Sequence, residues 1–176
     1  VRKALLVVGA IIIFIWWLNG ASDARFGCGD DQTSAHAASG SCPSTLGGAA
    51  EDAEWAADRI ASLPVRDDGD PTTGLLYDSE GTETRITSGD SGSAYEAAKG
   101  YISLPSKQVA GHVEAKAAAT MRDAGETFAV LVLNNRPCTY ASGVGCLRAS
   151  AMILPAGSTM VLWWPDGGPT TVRGSA

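Results

Sequence analysis

His112, Glu114, Cys138 and Cys146 are the residues whose types and spacing suit a hydrolytic metal centre. The chain holds two histidines and four cysteines in 176 residues, so one His and two Cys within 35 positions narrow the chemistry. An imidazole nitrogen and two thiolates form the donor set that a borderline-soft Zn²⁺ prefers, with a fourth position left for water. Three protein ligands plus water describe a catalytic site better than a structural one. Glu114 stands two places after His112 in "GHVEAKAAATMRDAG". It has the chemistry of a general acid/base that reaches the water without ligating the metal. Residues two apart lie about 200° around a regular helix, so the pair shares a site only if it straddles the helix start, where Gly111 stands. Cys138 and Cys146 carry a second reading, a disulfide that leaves no metal site.

The elements around these residues follow from periodicity and punctuation. The segment after Gly111 is a run of strong helix formers that Gly125 closes in the C-cap manner. "TFAVLVLNN" is an apolar, β-branched run of strand length, expected to be buried on both faces. "CLRASAMILPAG" reads as a helix, and "STMVLWWPDGGPTTVRG" as a strand, a tight turn and a last strand. Adjacent aromatics in a strand commonly send one ring inward and one outward, which is the expectation for Trp163 and Trp164. Upstream, "EDAEWAADRIASL" has acids in its first turn and stops at Pro64, a short helix. Gly74 to Tyr77 and Glu83 to Thr87 form strand candidates joined by a polar turn, and "AYEAAKGYI" offers a turn of helix. Helix, hairpin, helix, strand, helix, hairpin predicts a three-layer α/β/α domain with a mixed central sheet and a C-terminal antiparallel hairpin. His112 and Cys146 both fall where a helix begins, so two helix N-termini are expected to face the metal and favour thiolate and hydroxide.

Three regions are expected: 1–20, 21–53 and 54–176. The first, "VRKALLVVGAIIIFIWWLNG", has two cations and then an uncharged run from Ala4 to Leu18. Those fifteen residues span roughly 22 Å as a helix against roughly 30 Å of bilayer core. That length, with small residues at Ala21 and Ala24, suits a cleaved signal peptide, whereas Trp16 and Trp17 suit an uncleaved membrane anchor. Either way the segment is expected to contact membrane or export machinery, and the protein to be secreted or membrane-anchored. An initial Val leaves an alternative start and a longer parent chain both open. Residues 21–53, rich in Gly, Ser and Ala, read as a tether in which Cys28 and Cys42 most simply close a disulfide loop. A metal role for that pair with His36 would need a fourth ligand.

A net charge of -6 argues against a phosphate-binding protein until the chain is divided. Residues 54–98 carry three cations and ten acids, whereas residues 99–176 carry seven cations and four acids. The half with the candidate centre is mildly basic, which is compatible with a nucleic-acid substrate. "SGDSGSA" echoes the nucleophile segment of trypsin-like proteases. However, His36 and Ser91 are 55 residues apart, too close for the strands that a double β-barrel places between base and nucleophile.

A His-x-Glu at a helix, then a strand, then Pro-Cys and a second Cys, is the zinc nucleobase deaminase pattern. "GHVEAKAAATMRDAGETFAVLVLNNRPC", with "LPAGSTMVL" and "GLLYDSEGTETRITSGD", resembles the bacterial polymorphic-toxin nucleic-acid deaminases, in particular the family of the double-stranded-DNA cytosine deaminase toxin. That pattern usually has two residues between the cysteines; here there are seven, "TYASGVG", whose Gly143 and Gly145 allow a folded-back loop. The resemblance implies a cytidine-deaminase-like fold in which His112, Cys138 and Cys146 bind zinc. It implies that Glu114 shuttles protons while the C4 amine of cytosine in DNA is exchanged for oxygen. It further implies that Asn134, Asn135, Ser88 and Gly89 line the base pocket, that Tyr140 and Arg136 contact a flanking nucleotide, and that an immunity protein protects the producer of a toxin acting in a target cell. An RNA or single-stranded-DNA deaminase, and an inactive zinc- or disulfide-stabilised binding module, are the alternatives.

Overall fold

The apolar run after Gly125 is the central strand, and its alternation builds two cores. In β3 (Phe128–Leu133), Ala129, Leu131 and Leu133 enter one cluster while Val130 and Val132 enter the other. Side chains alternate across a strand, so a run with apolar residues on both faces needs a layer on each. The computed structural model describes residues 25–28, 42–103, 106–139 and 145–176. The leader at 1–20, His36 and Tyr140 lie outside the described residues. Among the described residues, no helix is long and apolar enough to cross a membrane.

Four further strands complete the sheet: β1 (Thr73–Tyr77), β2 (Glu83–Thr87), β4 (Thr159–Trp164) and β5 (Gly167–Arg173). Their order is β2-β1-β3-β4-β5. β3 runs antiparallel to β1 and parallel to β4, and β5 returns antiparallel to β4. This is the mixed sheet with a C-terminal hairpin expected from the pattern. The β1–β2 turn is closed by Asp78, whose Oδ1 accepts from the amides of Glu80 and Thr82 at 2.9 and 2.8 Å.

One face is covered by α3 (Ser93–Tyr101), α4 (Val113–Ala124) and α5 (Cys146–Ile153). The other is covered by α1 (Leu46–Glu51), α2 (Ala53–Ala61) and the turn at Arg25–Gly27, which buries Phe26. Packed structure therefore includes α1 and Phe26, both within the stretch read as a tether. Gly47 and Gly48 make α1 a weak helix on propensity alone. It is held by Thr45, whose hydroxyl caps the Gly48 amide at 3.1 Å, and by burial of Leu46, Ala49 and Ala50. Asp52 then caps α2, accepting from the amides of Glu54 and Trp55. The expected Cys28–Cys42 disulfide is present and joins the Phe26 turn to the start of this layer. Where a turn of helix was expected within residues 94–102, α3 runs for nine residues. Both tryptophans of β4 pack, Trp163 into one core and Trp164, half-buried, against the other, because both faces of β4 are covered.

α4 is enclosed by the sheet, α3 and α5, and most positions it buries are small: Ala115, Ala117, Ala118 and Ala119 are fully buried. Gly125 ends it in the left-handed region (φ 72°), and the Glu126 amide reaches back to Met121 O at 2.9 Å. At the other end Val113 rests on Gly74 of β1, where a side chain's first carbon would sit 2.9 Å from Val113 Cγ1 and 2.9 Å from Leu133 Cδ2. Register puts the first residue of β1 opposite the last of β2 (Thr73 and Thr87) and Gly74 opposite Leu133, the last of β3. One end of the sheet thus gathers the start of α4, the segment after β2 and the segment after β3.

Candidate active site

His112 is the N-cap residue of α4, with extended backbone (φ -78°, ψ 149°), and its carbonyl accepts from the Lys116 amide at 3.1 Å. A residue at this position belongs half to the loop, so its ring leaves the helix in a direction that regular helical spacing forbids. The pair thus straddles the helix start, as a shared site requires: His112 stands before the first turn and Glu114 within it. Glu114 is buried, 4% exposed. Burial holds its carboxyl above the ordinary carboxylate range, opposed in part by its own backbone N–H.

Beyond β3, Asn134 to Pro137 lead to Cys138, and Cys146 opens α5 with Gly145 as its cap. The Cys146 amide donates to Cys138 O at 3.3 Å, closing the intervening loop at its base. His112 Nδ1 lies 3.0 Å from Cys146 Sγ and 3.5 Å from Cys138 Sγ. The three ligand atoms lie within 4.8 Å of one another. In this structure the two cysteines are joined as a disulfide. The same pair, reduced, supplies two thiolates beside one imidazole nitrogen, so the donor set fits a zinc ion by atom type and proximity. The two sequence readings of the pair therefore meet at one place and differ by two electrons. Burial lowers the His112 pKa below its ordinary value, with the carboxylate of Asp90 opposing it. A neutral ring is the form that ligates a metal.

The other sequence candidates fall as follows. Asn134 has both ends of its amide bonded to the scaffold: Oδ1 accepts from the Thr73 amide at 2.8 Å and Nδ2 donates to Pro64 O at 3.0 Å. Asn135 Nδ2 donates to Thr72 Oγ1 at 3.2 Å. Ser88 and Gly89 follow β2 at the site end of the sheet, where the Gly89 amide donates to Gly111 O at 2.8 Å. Arg136 is exposed, and Tyr140 lies outside the described residues. Sequence reasoning missed Asp90, whose carboxylate seats against Gly111, and Lys116, whose ammonium donates to Thr87 O and Gly89 O. A lone lysine in an alanine run, one helical turn after the histidine, was the available signal for the second; Asp90 had none.

Residues 48–176 match the SCP1.201-like deaminase family. No curated protein matches the chain.

Proposed function

Since the chain belongs to the SCP1.201-like deaminase family, we propose that it is a zinc-dependent cytosine deaminase acting on DNA. The observation that carries this reading is the convergence of His112, Cys138 and Cys146 at the start of the helix that buries Glu114. His112 and the reduced cysteines would hold the ion, which supplies the Lewis acidity that makes water a nucleophile at neutral pH. Glu114 takes the proton from the attacking water and delivers it to the ring nitrogen. The C–O bond at C4 forms in that step; Glu114 then takes the proton of the new C4 hydroxyl and passes it to the amine, and the C–N bond breaks as the carbonyl forms. Cytosine and water thus give uracil and ammonia. Its burial favours the protonated form that the donating half of the cycle requires.

A nucleic-acid substrate is supported by the seven cations and four acids of residues 99–176. Export and action in a target cell, with an immunity protein as partner, are proposed from the apolar run of the leader and the toxin-like motifs. The Cys138–Cys146 disulfide favours a second reading, an inactive module stabilised by that bond. One experiment separates the two. Full-length protein is incubated with zinc under reducing conditions on cytosine-containing double-stranded DNA, single-stranded DNA and RNA, and the products are analysed for uracil. Uracil formed by the unsubstituted chain and not by Glu114→Ala supports the enzyme. Equal yields from both, or none from either despite bound zinc, would refute it.

A further inference from the structure

The segment joining β2 to α3 is held at the site by a lysine that helix packing does not call for. Lys116 stands within the alanine run of α4 and is 7% exposed. A buried ammonium is unfavourable unless its protons are bonded. Its Nζ donates to Thr87 O at 2.9 Å and to Gly89 O at 3.0 Å. The Gly89 amide in turn donates to Gly111 O, and the next residue, Asp90, places its carboxylate where any side chain at Gly111 would overlap it. Ser88 is tied from the opposite side, its amide donating to Thr72 O at 2.8 Å and its hydroxyl accepting from the Thr72 amide at 2.9 Å. Thr87 to Asp90 is thus a strap sewn to the residue before His112. The sheet order puts this strap on the β2 side of the α4 start and the two cysteines on the β3 side.

We propose that Lys116 is a positioning residue that fixes the Thr87–Asp90 strap as one wall of the nucleobase pocket and so sets how tightly the base is held. The inference rests on the deaminase reading above. It assigns Lys116 no proton transfer; the lysine acts through the backbone of Thr87 and Gly89. An uncharged side chain of similar length leaves both carbonyls without their donor, whereas arginine restores charge and donors.

The test compares the full chain with Lys116→Met and Lys116→Arg by amide hydrogen exchange, zinc content, and kcat and KM on a cytosine-containing oligonucleotide. In Lys116→Met the Ser88 and Gly89 amides are expected to exchange at least about tenfold faster while those of β3 are unchanged. KM is expected to rise about tenfold with kcat within about threefold and zinc content equal. Lys116→Arg is expected to recover most of both effects. Unchanged exchange at Ser88 and Gly89 overturns the proposal, and so does local loosening with an unchanged KM. A global loss of protection in Lys116→Met without recovery by Lys116→Arg makes Lys116 a stability residue and also overturns it. Failure of the deaminase reading shows separately, as absence of turnover in the unsubstituted chain.

Discussion

Replacing Gly74 by alanine tests whether the start of α4 is located by the sheet beneath it. The added carbon would lie 2.9 Å from Leu133 Cδ2, 2.9 Å from Val113 Cγ1 and 3.0 Å from Val132 O. Ordinary contact begins several tenths of an ångström further out, so all three neighbours are crowded together. The two methyl groups have somewhere to go, but Val132 O belongs to β3, which is paired on both sides. Overpacking of this kind costs about 1–3 kcal/mol. Lower unfolded-state entropy offsets roughly 0.5–1 kcal/mol of that. Mid-range values of the two leave a net loss of about 1 kcal/mol, a fall in Tm of roughly 3–5 °C for a unit of this size. Gly100 in α3 is the control, because a carbon added there meets nothing within 4 Å. There the same substitution is expected to stabilise by roughly 0.5–1 kcal/mol through helix propensity. Calorimetric melts of the three proteins at one pH measure both effects. A Tm for Gly74→Ala within about 1 °C of the unsubstituted chain, or a shift of the same sign at both positions, would refute the packing argument.

Four further outcomes are expected. Glu114→Gln lowers kcat by about 10²–10⁴-fold while zinc content stays unchanged, measured by turnover and metal analysis under reducing conditions. Reduced protein binds about one zinc per chain, His112→Ala and Cys146→Ala lose it, and Cys28→Ala retains it. Removing the Cys28–Cys42 bond, with a sequence separation of 14, destabilises the chain by about 2–3 kcal/mol, read from the urea midpoint of the Cys28→Ser, Cys42→Ser double variant. The folded chain holds His112 below its ordinary pKa of 6.5, so the unfolded chain binds the proton first. The stability from this group is complete above about pH 6.5 and is lost as pH falls through the folded value, so the metal-free Tm should fall on acidification more steeply than in His112→Asn.

Much of this architecture could be read from local chemistry. Gly125, the β-branched run of β3 and the Pro-Asp turn after Trp164 each act through their own backbone, so their positions are visible in the string. The proximity of His112, Cys138 and Cys146, which could hold a metal, was legible for a related reason: few residue types serve as soft ligands, and this chain has few of them. What stayed hidden is tertiary. Leu46–Glu51 is a helix because Leu46, Ala49 and Ala50 find a sheet to cover, although Gly47 and Gly48 argue against it. Trp164 packs because the helical layer reaches β4, which no strand-level alternation reveals. Lys116 gave no sign of its partners, Thr87 O and Gly89 O, since both are backbone atoms nearly thirty residues away. Asn134 looked like a pocket residue from its place after β3, and the folded chain also uses it to lock β1 to β3.

The layer that contains Phe26 has a practical meaning for anyone shortening this protein. The family match begins at residue 48, a natural place to cut. A chain starting there would lack Phe26, Leu46 and the Thr45 cap, and the Trp55 indole would lose its acceptor, Phe26 O at 3.0 Å. The uncovered surface would include Tyr77, Val130 and Val132, side chains now shielded from water. Such a product should be sticky, recovered mainly as soluble oligomers or inclusion bodies, even though His112, Glu114, Cys138 and Cys146 are all retained.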